Sequence, residues 1–180
     1  MKKITLILFA LFAASSMFLT SCFEKAAVTL PNVTLGYNSP STVQVITKTN
    51  AAGAFSMAPT QIHLNMDSIL KANSITGSLK SIIINNIKFE IVSGAANFDF
   101  LQFVTSNLTI TGGPSQNFSS ANPIPKGSAS FLIDGNNFDI NPYVNLKDFT
   151  FSYGGNTLTP IAQDVTVKIT LGFTITASGS

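Results

Sequence analysis

The sequence predicts an all-β protein: an antiparallel β-sandwich, immunoglobulin-like or similar, of about eight strands with two or three short helical crossovers. Three observations carry that expectation. Across residues 165–176, Val165, Val167, Ile169, Leu171, Phe173 and Ile175 alternate with Thr166, Lys168, Thr170, Gly172, Thr174 and Thr176. Period two over that length is a long strand with one buried face. Weaker alternations recur along the chain, and between them lie clusters of Asn, Ser, Gly and Pro, the residues of tight turns. Short strands with one wet face pack as a sandwich rather than as a sheet wrapped by helices.

In chain order, the first strand covers residues 28–37. Its apolar phase shifts across Pro31, as at a sheet edge or bulge that tolerates a missing N–H. Asn38-Ser39-Pro40 is a turn, followed by strands at 43–49 and 61–66. Residues 68–72 form a short helix capped by Asp67 and lead to a strand at 82–92. A strand at 108–111 closes on Gly112-Gly113-Pro114, and residues 113–126 are the longest loop. Strands at 128–133 and 149–153 end at the turns Asp134-Gly135 and Gly154-Gly155-Asn156, before the long C-terminal strand.

An internal echo adds two crossovers. Asn97-Phe98-Asp99-Phe100-Leu101-Gln102-Phe103-Val104 returns 40 residues later as Asn137-Phe138-Asp139-Ile140-Asn141-Pro142-Tyr143-Val144, with four positions identical. Each copy reads as a capped helical turn. Asp99 and Asp139 are the N-caps, whose carboxylates accept the free N–H groups of the first turn. Gln102 completes a capping box, Phe98 and Phe138 staple onto Phe103 and Tyr143, and Pro142 falls in the first turn, where its missing N–H costs least.

Composition narrows the function. The chain has 180 residues, 45% hydrophobic and 10% charged, too apolar for disorder and too short for several domains. All ten of its basic residues are Lys, against eight acids, and Lys2 and Lys3 fall in a leader, so the remainder is neutral. With no Arg and no Trp, the groups that clamp phosphates and stack on bases are missing, which argues against a nucleic-acid partner.

Met1-Lys2-Lys3 followed by an apolar run over residues 4–19, broken only by Thr5, Ser15 and Ser16, is the n-region and h-region of an export signal. The run is short of the roughly 20 apolar residues that span a bilayer. Leu19-Thr20-Ser21-Cys22 then resembles the lipobox of bacterial lipoproteins, with cleavage between Ser21 and Cys22. That resemblance implies a diacylglycerol thioether on Cys22, the sole cysteine, and palmitate-type acyl chains. Two or more chains give stable anchoring where one would be marginal.

Phe23 stands where an Asp would retain such a protein in the inner membrane, so the resemblance implies the outer membrane, in either leaflet. The domains are then a signal peptide at 1–21, a lipidated tether at 22–27 and a single sandwich at 28–180. With the thiol consumed by lipid there is no disulfide, and stability must come from burial. Together with the lipobox, Asn65-Met66-Asp67-Ser68-Ile69-Leu70-Lys71 and the segment Ala96-Asn97-Phe98-Asp99-Phe100-Leu101 are similar to a group of uncharacterised Bacteroidota lipoproteins. That likeness implies the sandwich and the address, and no activity.

Candidate chemistry is sparse. Ser68-Ile69-Leu70-Lys71 fits the S-x-x-K pattern of serine β-lactamases, but the later K-T-G and the large helical domain are missing. Asp67-Ser68-Ile69 fits the D-[S/T]-apolar O-glycosylation sequon of Bacteroidota, making Ser68 a modification site without catalytic meaning. His63 is the only histidine and lies on the wetter face of its strand, without the Cys or His partners of a zinc site. Asp134-Gly135-Asn136-Asn137-Phe138-Asp139 gathers hard oxygen ligands suited to calcium, yet lacks the spacing of an EF-hand, and a turn followed by a cap explains it equally.

Glu24, Asp67, Glu90, Asp99, Asp148 and Asp164 are scattered rather than paired for acid–base work. Tyr37, Tyr143 and Tyr153 read as sandwich core more than as a sugar platform. No enzyme, metal or cofactor is expected. The leading expectation is a lipid-anchored interaction or structural module of an outer-membrane assembly, with an envelope protein or glycan as partner. The alternatives are a module binding a glycan or apolar ligand, and a fimbrial subunit exchanging its long C-terminal strand, although no Arg exists for the usual maturation cleavage.

Overall fold

A computed structural model describes residues 31–143 and 149–179. The leader, Ser21, Cys22, the tether, the first residues of the 28–37 strand, Val144 and Asp148 lie outside the described residues. The compact unit that they fold into begins at Pro31.

The protein is an antiparallel sandwich of nine strands among the described residues: β1 (Val33–Asn38), β2 (Thr42–Ile46), β3 (Ala54–Ile62), β4 (Leu79–Ser93), β5 (Leu101–Ile110), β6 (Ser115–Ser119), β7 (Ser130–Asp139), β8 (Phe149–Thr157) and β9 (Val165–Ala177). One helix, α1 (Met66–Ala72), joins β3 to β4, and a 3₁₀ turn, Asn141–Tyr143, follows β7. Sheet A runs β1-β9-β4-β7, with β2 also on β9, and sheet B runs β3-β8-β5-β6. Setting β1 aside, the strands pair in a nest: β2 with β9, β3 with β8, β4 with β7 and β5 with β6. Cross-pairings of β9 with β4 and of β8 with β5 complete each sheet. This is the double-sheet jelly roll rather than the immunoglobulin arrangement.

The alternation read from residues 165–176 places β9 at the centre of sheet A. Val165, Val167, Ile169, Leu171, Phe173 and Ile175 are buried, with the threonines and Lys168 on the other face. Two short strands share its far side. β1 pairs with residues 172–177 and β2 with 165–169. Between them Pro40 has no N–H to give, and Ser39 carries the ladder across. Its N–H donates to the Leu171 carbonyl at 2.8 Å and its Oγ accepts the Leu171 N–H at 3.1 Å. In the core Phe131 stacks on Phe89 (centroids 5.0 Å apart, 2° between planes), while Phe98 and Tyr153 present edges to Phe131 and Phe89 respectively. Each such ring pair adds about 0.5–1.5 kcal/mol beyond its buried area.

Several local expectations are corrected, and the cause is usually a bulge. Asp99 caps no helix. Residues 101–110 are β5, and a register shift between Leu101 and Phe103 buries Leu101 and Val104, three apart, before Ser106, Leu108 and Ile110 resume the alternation. That shift mimics helical spacing. The echo is therefore not a structural repeat, because the first copy runs from a turn into β5 and the second from β7 into a 3₁₀ turn.

The strand expected at 61–66 is instead β3, whose pattern is broken by a shift between Met57 and Thr60 around Pro59; at the edge of sheet B that proline is tolerated. Residues 113–126 contain β6. Gly154 and Gly155 lie within β8 rather than in a turn, and a Cβ on Gly155 would sit 2.2 Å from the Phe103 carbonyl oxygen. The N-cap of α1 is Asn65, whose Oδ1 accepts the Ser68 N–H at 3.0 Å, not Asp67.

Asp134-Gly135 is likewise no turn. It opens a bulge in β7, where the register steps from Ile84 opposite Phe138 to Asn86 opposite Asp134. Asn136 and Asn137 take left-handed φ values of 52° and 51°, and the Asp134 carboxylate accepts the Asn136 N–H at 2.7 Å. A Cβ on Gly135 would lie 2.1 Å from the Ile84 carbonyl oxygen. Gly135→Ala should therefore cost about 2 kcal/mol, read as a lower urea midpoint at unchanged slope. Gly36→Ala, whose methyl meets nothing within 4 Å, should stay within about 0.5 kcal/mol. Equal midpoints for the two variants would show that β7 is not held against Ile84.

Candidate functional site

The residues singled out by chemistry stay apart in the fold. Ser68 and Lys71 are exposed on α1 with Asp67, and His63 is exposed in the connection that precedes it. The carboxylates of Asp99, Asp139 and Asp164 are committed to backbone. Asp99 accepts the Gly127 N–H at 2.6 Å, Asp164 accepts that of Lys48 at 2.8 Å, and Asp139 accepts those of Ile82 at 3.0 Å and Asn141 at 2.9 Å. Asp139 thus heads the 3₁₀ turn while also tying β7 to β4. Among the described residues no three His, Cys, Asp or Glu side chains form a group able to hold a metal ion. No helix among them is long and apolar enough to cross a membrane.

Tyr153 is core, 2% exposed, and burial pushes its hydroxyl well above the ordinary tyrosine value. Its OH, Ser106 Oγ and Thr42 Oγ1 are buried without a hydrogen-bond partner. Tyr37 leans on Phe173 with ring centroids 6.3 Å apart, and Tyr143 packs against the core.

Polar and apolar chemistry instead collects on the outer faces of the sheets. On sheet B, Asn107 Nδ2 donates to Asn117 Oδ1 at 2.6 Å and Thr109 Oγ1 to Asn107 Oδ1 at 2.9 Å, within an uncharged amide and hydroxyl surface. Sheet A differs. Val43, Lys168, Glu90 and Ser130 stand in one row across four strands. The Glu90 carboxylate takes Lys168 Nζ at 2.9 Å and Lys88 Nζ at 3.4 Å. Around this cluster, Val43, Val45, Val92 and Leu132 are open to water, at 63%, 44%, 59% and 59% exposure.

The cluster borders a cleft of about 520 Å³. One wall is Lys88 on β4 with Phe131 and Leu132 on β7; the other is Ala121, Ile124 and Pro125 of the β6–β7 connection. Alternation explains the first wall. Phe131 and Ile133 face the core, which leaves Leu132 outside, directly opposite Lys88 in register. The second wall is pinned. The Ile124 N–H donates to the Gln102 carbonyl at 3.2 Å, the Ser120 N–H to that of Val104 at 2.9 Å, and the Phe98 N–H to that of Ser128 at 2.9 Å. Reading the sequence alone missed this cleft. Its signals were an isoleucine between prolines, Asn122-Pro123-Ile124-Pro125, inside a loop, and a leucine on the wet face of a strand.

No protein-family model matches the chain, and no curated protein does. Among solved structures it is similar to the decameric BFDV capsid protein, with 11% identity, a TM-score of 0.40, and coverage of 81% of this chain and 98% of that one. It is also similar to Desmodium yellow mottle tymovirus (10%, 0.31, 84% and 90%) and to Israeli acute paralysis virus (9%, 0.33, 80% and 73%). At such identities and scores the likeness says nothing of activity.

The two lysines lower the Glu90 pKa, the hydrogen bond from Lys168 most and that from Lys88 next. A depressed carboxylate contributes stability above its unfolded pKa and loses it as pH falls through the folded one. In a carboxyl NMR titration Glu90 should have a midpoint below the ordinary glutamate range. Lys168→Gln should return it further toward that range than Lys88→Gln, and the reverse order would contradict the geometry of the pair.

Proposed function

We propose that this chain is a lipid-anchored, non-enzymatic lipoprotein of the cell envelope, tethered at Cys22 to the outer membrane, that serves as an interaction or structural module of an outer-membrane assembly. The observation that carries the reading is the lipobox-like Leu19-Thr20-Ser21-Cys22 directly after a short apolar leader. It is supported by the outer face of sheet A, where Val43, Val45, Val92 and Leu132 form the exposed apolar surroundings of a charged cluster, a surface suited to a protein contact. Strand exchange through β9 is less favoured, because β9 is paired along both sides and its departure would dismantle sheet A. Ser68, exposed in the first turn of α1, remains the proposed O-glycosylation site.

Mass spectrometry of the protein isolated from its native membrane should find mature chain starting at a diacylglyceryl Cys22, and Cys22→Ala should abolish both processing and membrane retention. A free thiol on Cys22, or upstream residues still attached, would remove the address. For the assembly, crosslinking in intact cells should capture an envelope component whose yield falls at least fivefold in a Val43→Glu, Val45→Glu double variant with an unchanged melting temperature. Undiminished capture would exclude this face as the contact.

A further inference from the structure

We propose that the cleft between β7 and the β6–β7 connection binds an anionic amphiphile, a single apolar chain ending in a carboxylate or similar oxyanion, with the chain between Phe131, Leu132, Ile124 and Pro125 and the head group at Lys88. The volume of about 520 Å³ lies within the range of small-molecule sites. At the roughly 30 Å³ that a water occupies in the liquid, it accommodates on the order of 15 non-hydrogen atoms, the size of a medium-chain fatty acid. Its floor is apolar and buried, with Phe131 8% and Ile124 4% exposed, while Leu132 at the mouth is left to solvent. A chain laid along the cleft would cover Leu132.

Charge selects the head group. Two ammonium groups share the single carboxylate of Glu90, and Lys168 holds it at 2.9 Å whereas Lys88 makes the longer, weaker contact at 3.4 Å. One positive charge is therefore uncompensated beside the cleft, and Lys88 is the more weakly engaged of its two carriers. An oxyanion there completes the cluster, whereas a cation would be repelled. The walls need no ordering on binding, since the β6–β7 connection is already held by Asp99 on Gly127 and by Ile124 on Gln102. Preorganisation of this kind removes much of the cost of association.

Calorimetric titration of the purified full chain with decanoate, 1-decanol and decyltrimethylammonium tests the assignment. Decanoate should bind once per chain, on the order of 10 μM, and about fivefold more tightly than 1-decanol, the scale of one exposed charge contact. Lys88→Gln should bring the two to equal affinity. Ala121→Trp, at an exposed position on the wall, should weaken both at least tenfold without lowering the melting temperature. Absence of saturable decanoate binding, a preference for the cationic chain, or full binding by folded Ala121→Trp would overturn the proposal. So would binding only to vesicles of anionic phospholipid and not to monomeric decanoate, which would make the surface a bilayer contact instead of a cleft for one chain.

Discussion

The pairing of β9 on both of its sides is the constraint on which the rest of the molecule depends. A strand of 13 residues with every second side chain buried cannot serve as an edge, because one row of its backbone groups would stay unpaired and one hydrophobic face half covered. β4 supplies one long partner, and β1 and β2 together supply the other. Because β2, from Thr42, joins β9, up to Ile169, every later pair nests inside that closure. The topology is thus dominated by contacts between distant residues, the kind that lets a sandwich fold only slowly. The last of the described strands is also the one that sheet A cannot do without.

Such a nest leaves little freedom for polar chemistry in the interior. The space between the sheets is filled by Phe89, Phe98, Phe131, Phe151 and Tyr153 with a surround of isoleucines, and the hydroxyls of Ser106 and Tyr153 there are stranded. An unsatisfied buried hydroxyl costs about 1–3 kcal/mol. Ser106 and Tyr153, opposite one another in register on β5 and β8, therefore look less like machinery than like residues tolerated by a large apolar core. Carboxylates outside the core take a structural task, closing loops against backbone N–H groups as Asp99, Asp139 and Asp164 do. Glu90 is the exception, since its partners are side chains.

What was legible in the sequence follows from where the sheets are regular. β9 has one wet and one dry face and no interruption that changes their phase, so its pattern survives intact. β3, β5 and β7 each contain a register shift, and each shift inverts the alternation partway along the strand. A bulge between Leu101 and Phe103 converts a two-residue period into three, and the Asn, Asp and Phe of the echo then resemble a capped helix. The same few residues take unlike conformations at 97–103 and 137–143 because the second copy is paired to β4 through Phe138 and Asp139, whereas β5 begins only at Leu101. Tertiary pairing outweighs local capping preference in both places. The cleft was invisible for a different reason: its walls come from three segments that only the folded chain brings together.

The two outer faces of the sandwich are not equivalent. On sheet B the side chains of Asn107, Asn117 and Thr109 satisfy one another. On sheet A the exposed valines and Leu132 have no such local compensation, and the adjacent Lys88–Glu90–Lys168 cluster holds one charge more than it neutralises. Apolar area exposed beside an unbalanced charge is costly to keep unless something covers it, whereas a hydrated polar array is not. The asymmetry is what favours sheet A, and the cleft at its β7 edge, as the surface for the proposed contacts. The bulge at Gly135 lies in that same edge strand, where two extra residues disrupt a free ladder and hinder sheet-to-sheet addition by another chain. What this edge offers instead is side chains, with Leu132 directly opposite Lys88.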